Sequence, residues 1–419
     1  RKKPRLDHVD AMRPVKQAGV VSSHSLLFFA PGTVAAVGGS LMLLHVTREA
    51  FLFISACMLT YGYYDMGRIG YRYFYRRRFI TVGVPYLTWT LIYFFVTLPG
   101  EGLTPVSGLV HFGFLLGTGY YQLYYLVVVM QFYLVYPALL WLLRRCEGHH
   151  LALLAASLAV QVAVMSLMHW QVLPSHMRGF WATREIISYQ FYLVAGMVVA
   201  MHLEDCHRWL CRNGWKVFWA TCAAAMVAET WYAAAHAHLA SWLGSASDPL
   251  QPIVIPFNIG AIACLYLFGV WLVRPRRTRR IWAMAHSGSD NSYGIYLAQM
   301  LFVYALSDLG WRSLNHVVPW PIATAAAVAI VVLSCVLFSS VVARTPLALA
   351  VTGRTRVRWS TWLPNEVRQW RAADNGEAGT KGPPAPAAQG WLAAASAGAS
   401  AGAAGHLGAE PPVPASAGG

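Results

Sequence analysis

Ten apolar stretches, separated by polar loops, run along the chain at roughly 15–37, 47–65, 79–98, 122–143, 151–170, 185–203, 216–238, 252–273, 290–308 and 320–343. Each approaches the ~20 residues with which a helix crosses ~30 Å of hydrocarbon. None has the strict alternation of a barrel strand, and backbone groups in lipid must find partners within their own segment, so the pattern predicts helices. The predicted fold is all-α: a polytopic membrane helical bundle of ten transmembrane helices over 1–345. Beyond it, 346–372 mixes basic and aromatic residues (Arg354, Arg356, Arg358, Trp359, Trp362), as a segment lying on a membrane surface would. From 373 to 419 Ala, Gly, Pro and Ser dominate, which predicts a disordered tail.

Charge sets the orientation. Of the 32 Lys and Arg, 28 fall on the side that carries both ends of the chain, and only Arg48, Arg178, Arg184 and Arg312 fall on the other. Positive loops stay inside, so both termini are expected in the cytoplasm and the number of crossings is even. Losing one span would invert every later loop and erase the bias. The net charge of +15 would suit nucleic acid only if the cations formed a soluble patch. They punctuate a chain that is 57% hydrophobic and 12% charged, so the lipid bilayer is the expected partner and nucleic acid is not. No small-residue cleavage site follows the basic start Arg1-Lys2-Lys3-Pro4-Arg5, and the first span is expected to remain in the membrane. The seven cysteines lie in spans or basic loops and read as free thiols. The Ala-rich, cysteine-poor style is compatible with a bacterial plasma membrane.

The first span carries an ionisable group, His24, at membrane depth, where such groups are costly and tend to mark function. Arg13-Pro14-Val15-Lys16 opens that span, with Pro14 expected at the first helical position, where its missing N–H would be unpaired anyway. Arg13 and His24 are eleven residues apart. At 100° per residue that is ~1100°, so both lie on one helix face, ~16 Å apart along the axis. A cation at the inner surface can hold phosphate, and a buried imidazole can take a proton from a hydroxyl. Spacing alone equally suits an orientation signal at Arg13 and a packed imidazole at His24.

Other candidates are weaker. Arg76, Arg77 and Arg78 cluster at the inner mouth of the third span, as phosphate ligands or as orientation charges. Glu229 sits within the seventh span, either as a functional carboxylate or as the partner of a basic group. Arg48 and Glu49 are expected to face water or to pair with each other, and His45, His169 and His176 to be solvated. His149-His150 offers too few ligands for a metal, and no metal site is expected.

The stretch from Arg13 to His24 resembles the opening of the acyltransferase family 3 membrane proteins, which place an Arg and a His eleven residues apart in their first span. Ala50-Phe51-Leu52-Phe53-Ile54-Ser55-Ala56 resembles the family's Phe-Phe-x-x-Ser-Gly of the second span. Arg76-Arg77-Arg78 running on to Pro85-Tyr86 is similar to its basic run ending in Pro-Tyr. Tyr124-Tyr125-Leu126 with Phe132-Tyr133 and Pro137 fits its fourth span. Ser292-Tyr293-Gly294-Ile295-Tyr296-Leu297 resembles its Ser-Tyr-x-x-Tyr-Leu near the ninth. Together these cover about residues 5–343 in order, and ten spans is the family's usual number. Three positions depart from the pattern: Thr81 stands where a second Arg commonly follows Arg78, Ala56 replaces the Gly, and Gln299 replaces a His. These bear on how donor and acceptor are held and leave His24 untouched.

The resemblance implies transfer of an acyl group from acyl-CoA, acetyl-CoA being one such donor, to a hydroxyl of a glycan, an envelope component or a small exported molecule. A carbohydrate acceptor is expected, and no permanently bound cofactor. In that frame His24 acts as general base, and Arg13, Arg76, Arg77 and Arg78 hold the donor. Ser22 and Ser23 offer a nucleophilic alternative, although no nucleophile elbow is present. Two other readings stay open. A transporter or flippase would suit the span number, but Pro31, Pro85 and Pro256 do not mark corresponding positions of two halves. An inactive membrane sensor on the same scaffold would suit the three departures.

Overall fold

Where the apolar pattern runs, helices form. The computed structural model describes residues 6–31, 35–64, 70–101, 105–174, 177, 180–243, 246, 250–273 and 279–354. Its helices are α1 (Asp7–Phe29), α2 (Ala35–Leu44), α3 (Val46–Tyr63), α4 (Tyr71–Glu101), α5 (Pro105–Thr118), α6 (Tyr124–Arg145), α7 (His150–His169), α8 (Gln190–Met201), α9 (Leu203–His236), α10 (Ile255–Leu272), α11 (Arg279–Asp308), α12 (Trp320–Val342) and α13 (Ala348–Thr352), joined by short 3-10 turns. No strand occurs among the described residues. One unit, His8–Trp362, holds this bundle, and the other, Arg1–Asp7 with Leu363–Gly419, lies almost wholly outside the described residues. The tail expected over 373–419, and the surface segment beyond Arg354, also lie outside them.

Eight of the ten predicted segments fall mainly on a single helix; 15–37 runs from α1 past the break at Pro31 into α2, and 185–203 combines a 3-10 turn with α8. Six stretches, Ala35–Tyr63, Tyr71–Thr97, Val106–Arg145, His150–His169, Pro252–Leu272 and Trp320–Val342, are long and apolar enough to cross a membrane. The pair formed by α8 (with the turn before it) and α9, bent by 99°, makes a seventh if it counts as one span. The chain is a multi-pass membrane protein. α1 and α11 fall outside that set because they carry polar residues into the core, Lys16, Gln17 and Ser25 in one and Asn291 and Gln299 in the other. α8 is only 12 residues, or ~18 Å at 1.5 Å each, short of the hydrocarbon thickness by itself.

The first span departs from its expected bounds. α1 starts at Asp7, so Pro14 lies inside the helix rather than at its first position. Lacking an N–H, Pro14 gives up the bond to the Asp10 carbonyl, a loss the bundle's packing offsets. The helix stops at Phe29 because Pro31 disfavours helical backbone at the residue before it. The chain then re-enters through α2, which leads into α3 at His45.

α3 packs along α8, α9 along α10, and α11 along α12. Gly196 makes the first pairing close: a Cβ there would collide with the Phe53 carbonyl. At the centre, Trp89, Tyr93, Tyr136, Phe74 and Phe132 are fully buried. Two of them reach backbone acceptors through their polar tips: Trp89 Nε1 donates to Val351 O at 2.8 Å and Tyr93 Oη to Leu297 O at 2.6 Å. Such bonds add about 1 kcal/mol each to the burial of the rings. This aromatic core holds α4, α6, α11 and α13 together as the frame behind the site.

Candidate functional site

A cavity of about 530 Å³ opens beside α1, within the range of small-molecule sites. Its wall takes Ser23 and His24 from α1, His45, Arg48 and Phe51 from the α2–α3 junction and α3, Tyr121 from the turn before α6, Tyr124 and Tyr125 from the start of α6, Arg184 from the turn before α8, Tyr232 from α9 and Tyr296 from α11.

His24 is half-buried, and neither ring nitrogen has a hydrogen-bond partner among the described residues. Its neighbour is Tyr121, with ring centroids 5.2 Å apart and planes inclined by 52°. Tyr121 adopts a left-handed backbone, φ 31°, which a bulky residue rarely holds without support. The turn before it supplies the support. Gly119 has φ 78° and sits so close to Tyr124 that a Cβ there would strike the Tyr124 backbone nitrogen. The hydroxyls of Ser22 and Ser23 donate to Ala18 O and Val20 O, at 2.9 and 2.8 Å, one turn back on their own helix. Neither is engaged with His24.

Opposite His24 stands a buried ion pair. Glu49 accepts from Arg48 Nε at 3.3 Å and Nη2 at 2.9 Å. The two side chains are 2% and 8% exposed, so of the two expectations for them, pairing holds and facing water does not. Arg48 also reaches Tyr124 Oη at 3.4 Å and lies 5.1 Å over the Tyr189 ring. Arg184 closes the wall from another loop. Its Nε donates to Thr118 O at 3.0 Å and its Nη1 to Phe180 O at 2.7 Å. Its guanidinium lies 4.9 Å over Tyr124 and 3.4 Å over Phe180. Gln131 clamps the backbone just after Arg184, donating to its carbonyl and accepting from Ile186 N, each at 2.9 Å. His45, expected to be solvated, lines the cavity instead.

The arginines proposed for the donor lie apart from this cavity. Arg13 pairs with Asp10 at 3.2 Å and keeps 34% of its side chain exposed. Arg76 and Arg77 are exposed, Arg77 reaching Tyr73 Oη at 3.4 Å, whereas Arg78 turns inward. Its guanidinium lies 5.7 Å from the rings of Tyr63 and Tyr133, and its Nε is buried without a partner among the described residues. Arg13 and Arg78 both lie within electrostatic reach of Tyr133. Tyr133 is nine residues beyond Tyr124 on α6, ~13 Å along the axis from the cavity wall.

Between the two groups lies Lys16. Counted in the sequence as an inner-side charge, it is 4% exposed, with Nζ 3.3 Å from the centroid of Phe51, a cavity-wall residue. Beside it, Gln17 is buried with both amide atoms unpartnered among the described residues. Its place one turn beyond Arg13 on the helix was the available signal, masked by the general bias of basic residues towards that side.

Glu229 does not line the cavity. Its carboxylate rests against α2 at Gly39, where a Cβ would clash with Oε2, while Tyr232 one turn on does the same at Gly38 and reaches the wall. His169, expected to be solvated, is buried and bonds Leu243 O through Nε2 at 2.9 Å. His150 is likewise buried, with Nδ1 2.9 Å from His202 Nε2, while His149 is exposed. His176 and Arg178 lie outside the described residues.

The sequence model of the family described as an acyltransferase domain matches residues 8–339. The chain belongs to this family, acyltransferase family 3. No curated protein and no solved structure matches it.

Proposed function

We propose that the protein is a bacterial plasma-membrane acyltransferase that moves an acyl group from acyl-CoA to a hydroxyl of a carbohydrate or other exported acceptor. Membership of the family supports the reaction class. The observation that carries the site is His24: an imidazole with both nitrogens unengaged among the described residues, on the wall of a ligand-sized cavity. Such a group can accept the acceptor's proton as its oxygen attacks the thioester carbonyl, an effect worth typically ~10²–10⁴-fold. The C–O ester bond forms, the C–S bond breaks, and the proton leaves with the CoA thiol. No acyl-enzyme is needed, in keeping with Ser22 and Ser23 donating to their own helix.

The donor's phosphates suit the Arg13–Arg78 end, with Arg76 and Arg77 exposed beside it. From there an extended pantetheine arm reaches His24, ~16 Å away along α1. The ten-crossing topology with both termini in the cytoplasm belongs to this reading. It puts the donor arginines on the cytoplasmic side and the cavity towards the outer one. The purified full chain, reconstituted and given acyl-labelled CoA, tests it: an acyltransferase consumes the thioester in the presence of a hydroxyl acceptor. A transporter or a sensor leaves it intact.

A further inference from the structure

Among the described residues, the cavity wall carries cations, Arg48 and Arg184, and no carboxylate. Arg48 is matched from behind by Glu49. Arg184 is not: among the described residues its partners are the Thr118 and Phe180 carbonyls and the Thr183 hydroxyl, all neutral. None of those bonds uses Nη2, which leaves one edge of the fork for a ligand. The rest of the guanidinium is fixed from three sides, by those acceptors, by the rings of Tyr124 and Phe180, and by the Gln131 clamp on its backbone. A half-buried, preorganised cation without a counter-charge is costly to hold unless a ligand completes it. The proposed donor arginines gather further along α6, near Tyr133, so this one is left for the acceptor.

We infer that the acceptor carries an oxyanion, a carboxylate or a phosphate, which seats on Arg184 while its hydroxyl faces His24. The inference rests on the proposed acyl transfer for the word acceptor, and on the wall chemistry alone for the anion. Tyr124 and Thr47, also on the wall, offer hydroxyls to the neutral part of such a ligand.

The test is binding, read without turnover, so it does not depend on acyl transfer; thioester consumption reports on that separately. The probes are D-glucuronate, D-glucose 6-phosphate and neutral D-glucose, each titrated against the thermal unfolding of the full chain. At least one anionic sugar is expected to bind about tenfold or more tightly than glucose, the size of one charge-assisted bond. Which of the two does so tells carboxylate from phosphate. In Arg184→Gln that preference is expected to fall to about onefold, with binding of coenzyme A unchanged. Glucose binding as tightly as both anions overturns the inference from the wild type alone, whether or not the variant folds. So does a preference that survives Arg184→Gln, and so does loss of coenzyme A binding, which would give Arg184 to the donor.

Discussion

The imidazole of His24 rests against the ring of Tyr121, 5.2 Å between centroids, and Tyr121 holds a left-handed backbone to stay there. Strained backbone of this kind costs of order 1–3 kcal/mol and persists where the surroundings fix it. Here it sets the plane of the base. Tyr121→Phe keeps the ring and is expected to keep turnover within about twofold. Tyr121→Gly relaxes the backbone but frees the imidazole, and turnover is expected to fall about tenfold or more, a barrier change of ~1.4 kcal/mol. Steady-state kinetics beside thermal unfolding separates the two effects, because the Gly variant loses rate without a matching loss of stability.

Glu49 pairs with the buried Arg48 at 2.9 Å, and Glu49→Gln removes that negative charge from beside the guanidinium. Removing one partner of a buried pair typically costs about 3–5 kcal/mol. A marked drop in unfolding temperature is expected, partly restored when Arg48→Gln is added. Thermal unfolding in detergent measures both.

Within the basic triplet, only Arg78 turns inward among aromatic rings, while Arg76 and Arg77 are exposed. Arg78→Gln is therefore expected to raise the KM for acyl-CoA several-fold more than Arg76→Gln or Arg77→Gln. Equal effects from all three would mean that the charges act only through their sum.

The helices were legible because the hydrophobic pattern is a local signal: most predicted segments fall on a single helix, and the first is split between α1 and α2. Boundaries were less so, since Pro14 is tolerated inside α1 by packing that a local rule does not see. In the site, His24 was found from depth and from its spacing to Arg13. Arg184, His45 and Lys16 were not, because their surroundings come from distant parts of the chain, and no sequence period links Arg184 to Thr118 or Lys16 to Phe51. Glu229 drew notice as a carboxylate in an apolar run, but the missing side chain at Gly39 explains its place as packing.

Orientation rests on the distribution of Lys and Arg. Cys211, exposed near the start of α9, lies in a segment assigned to the cytoplasmic side. With the other six cysteines replaced, Cys211 is expected to react with a membrane-impermeant maleimide only after the membrane is opened. Labelling of intact cells would reverse the assignment.

The central claim is that His24 moves a proton, and His24→Gln tests it most directly. The amide keeps comparable size and hydrogen bonding but cannot take up and release a proton near neutral pH. Turnover of acyl-labelled CoA by the purified variant is predicted to fall by about two orders of magnitude or more, with the unfolding temperature and the KM for acyl-CoA little changed. A Gln variant that keeps close to full turnover would contradict the account and leave His24 a structural residue.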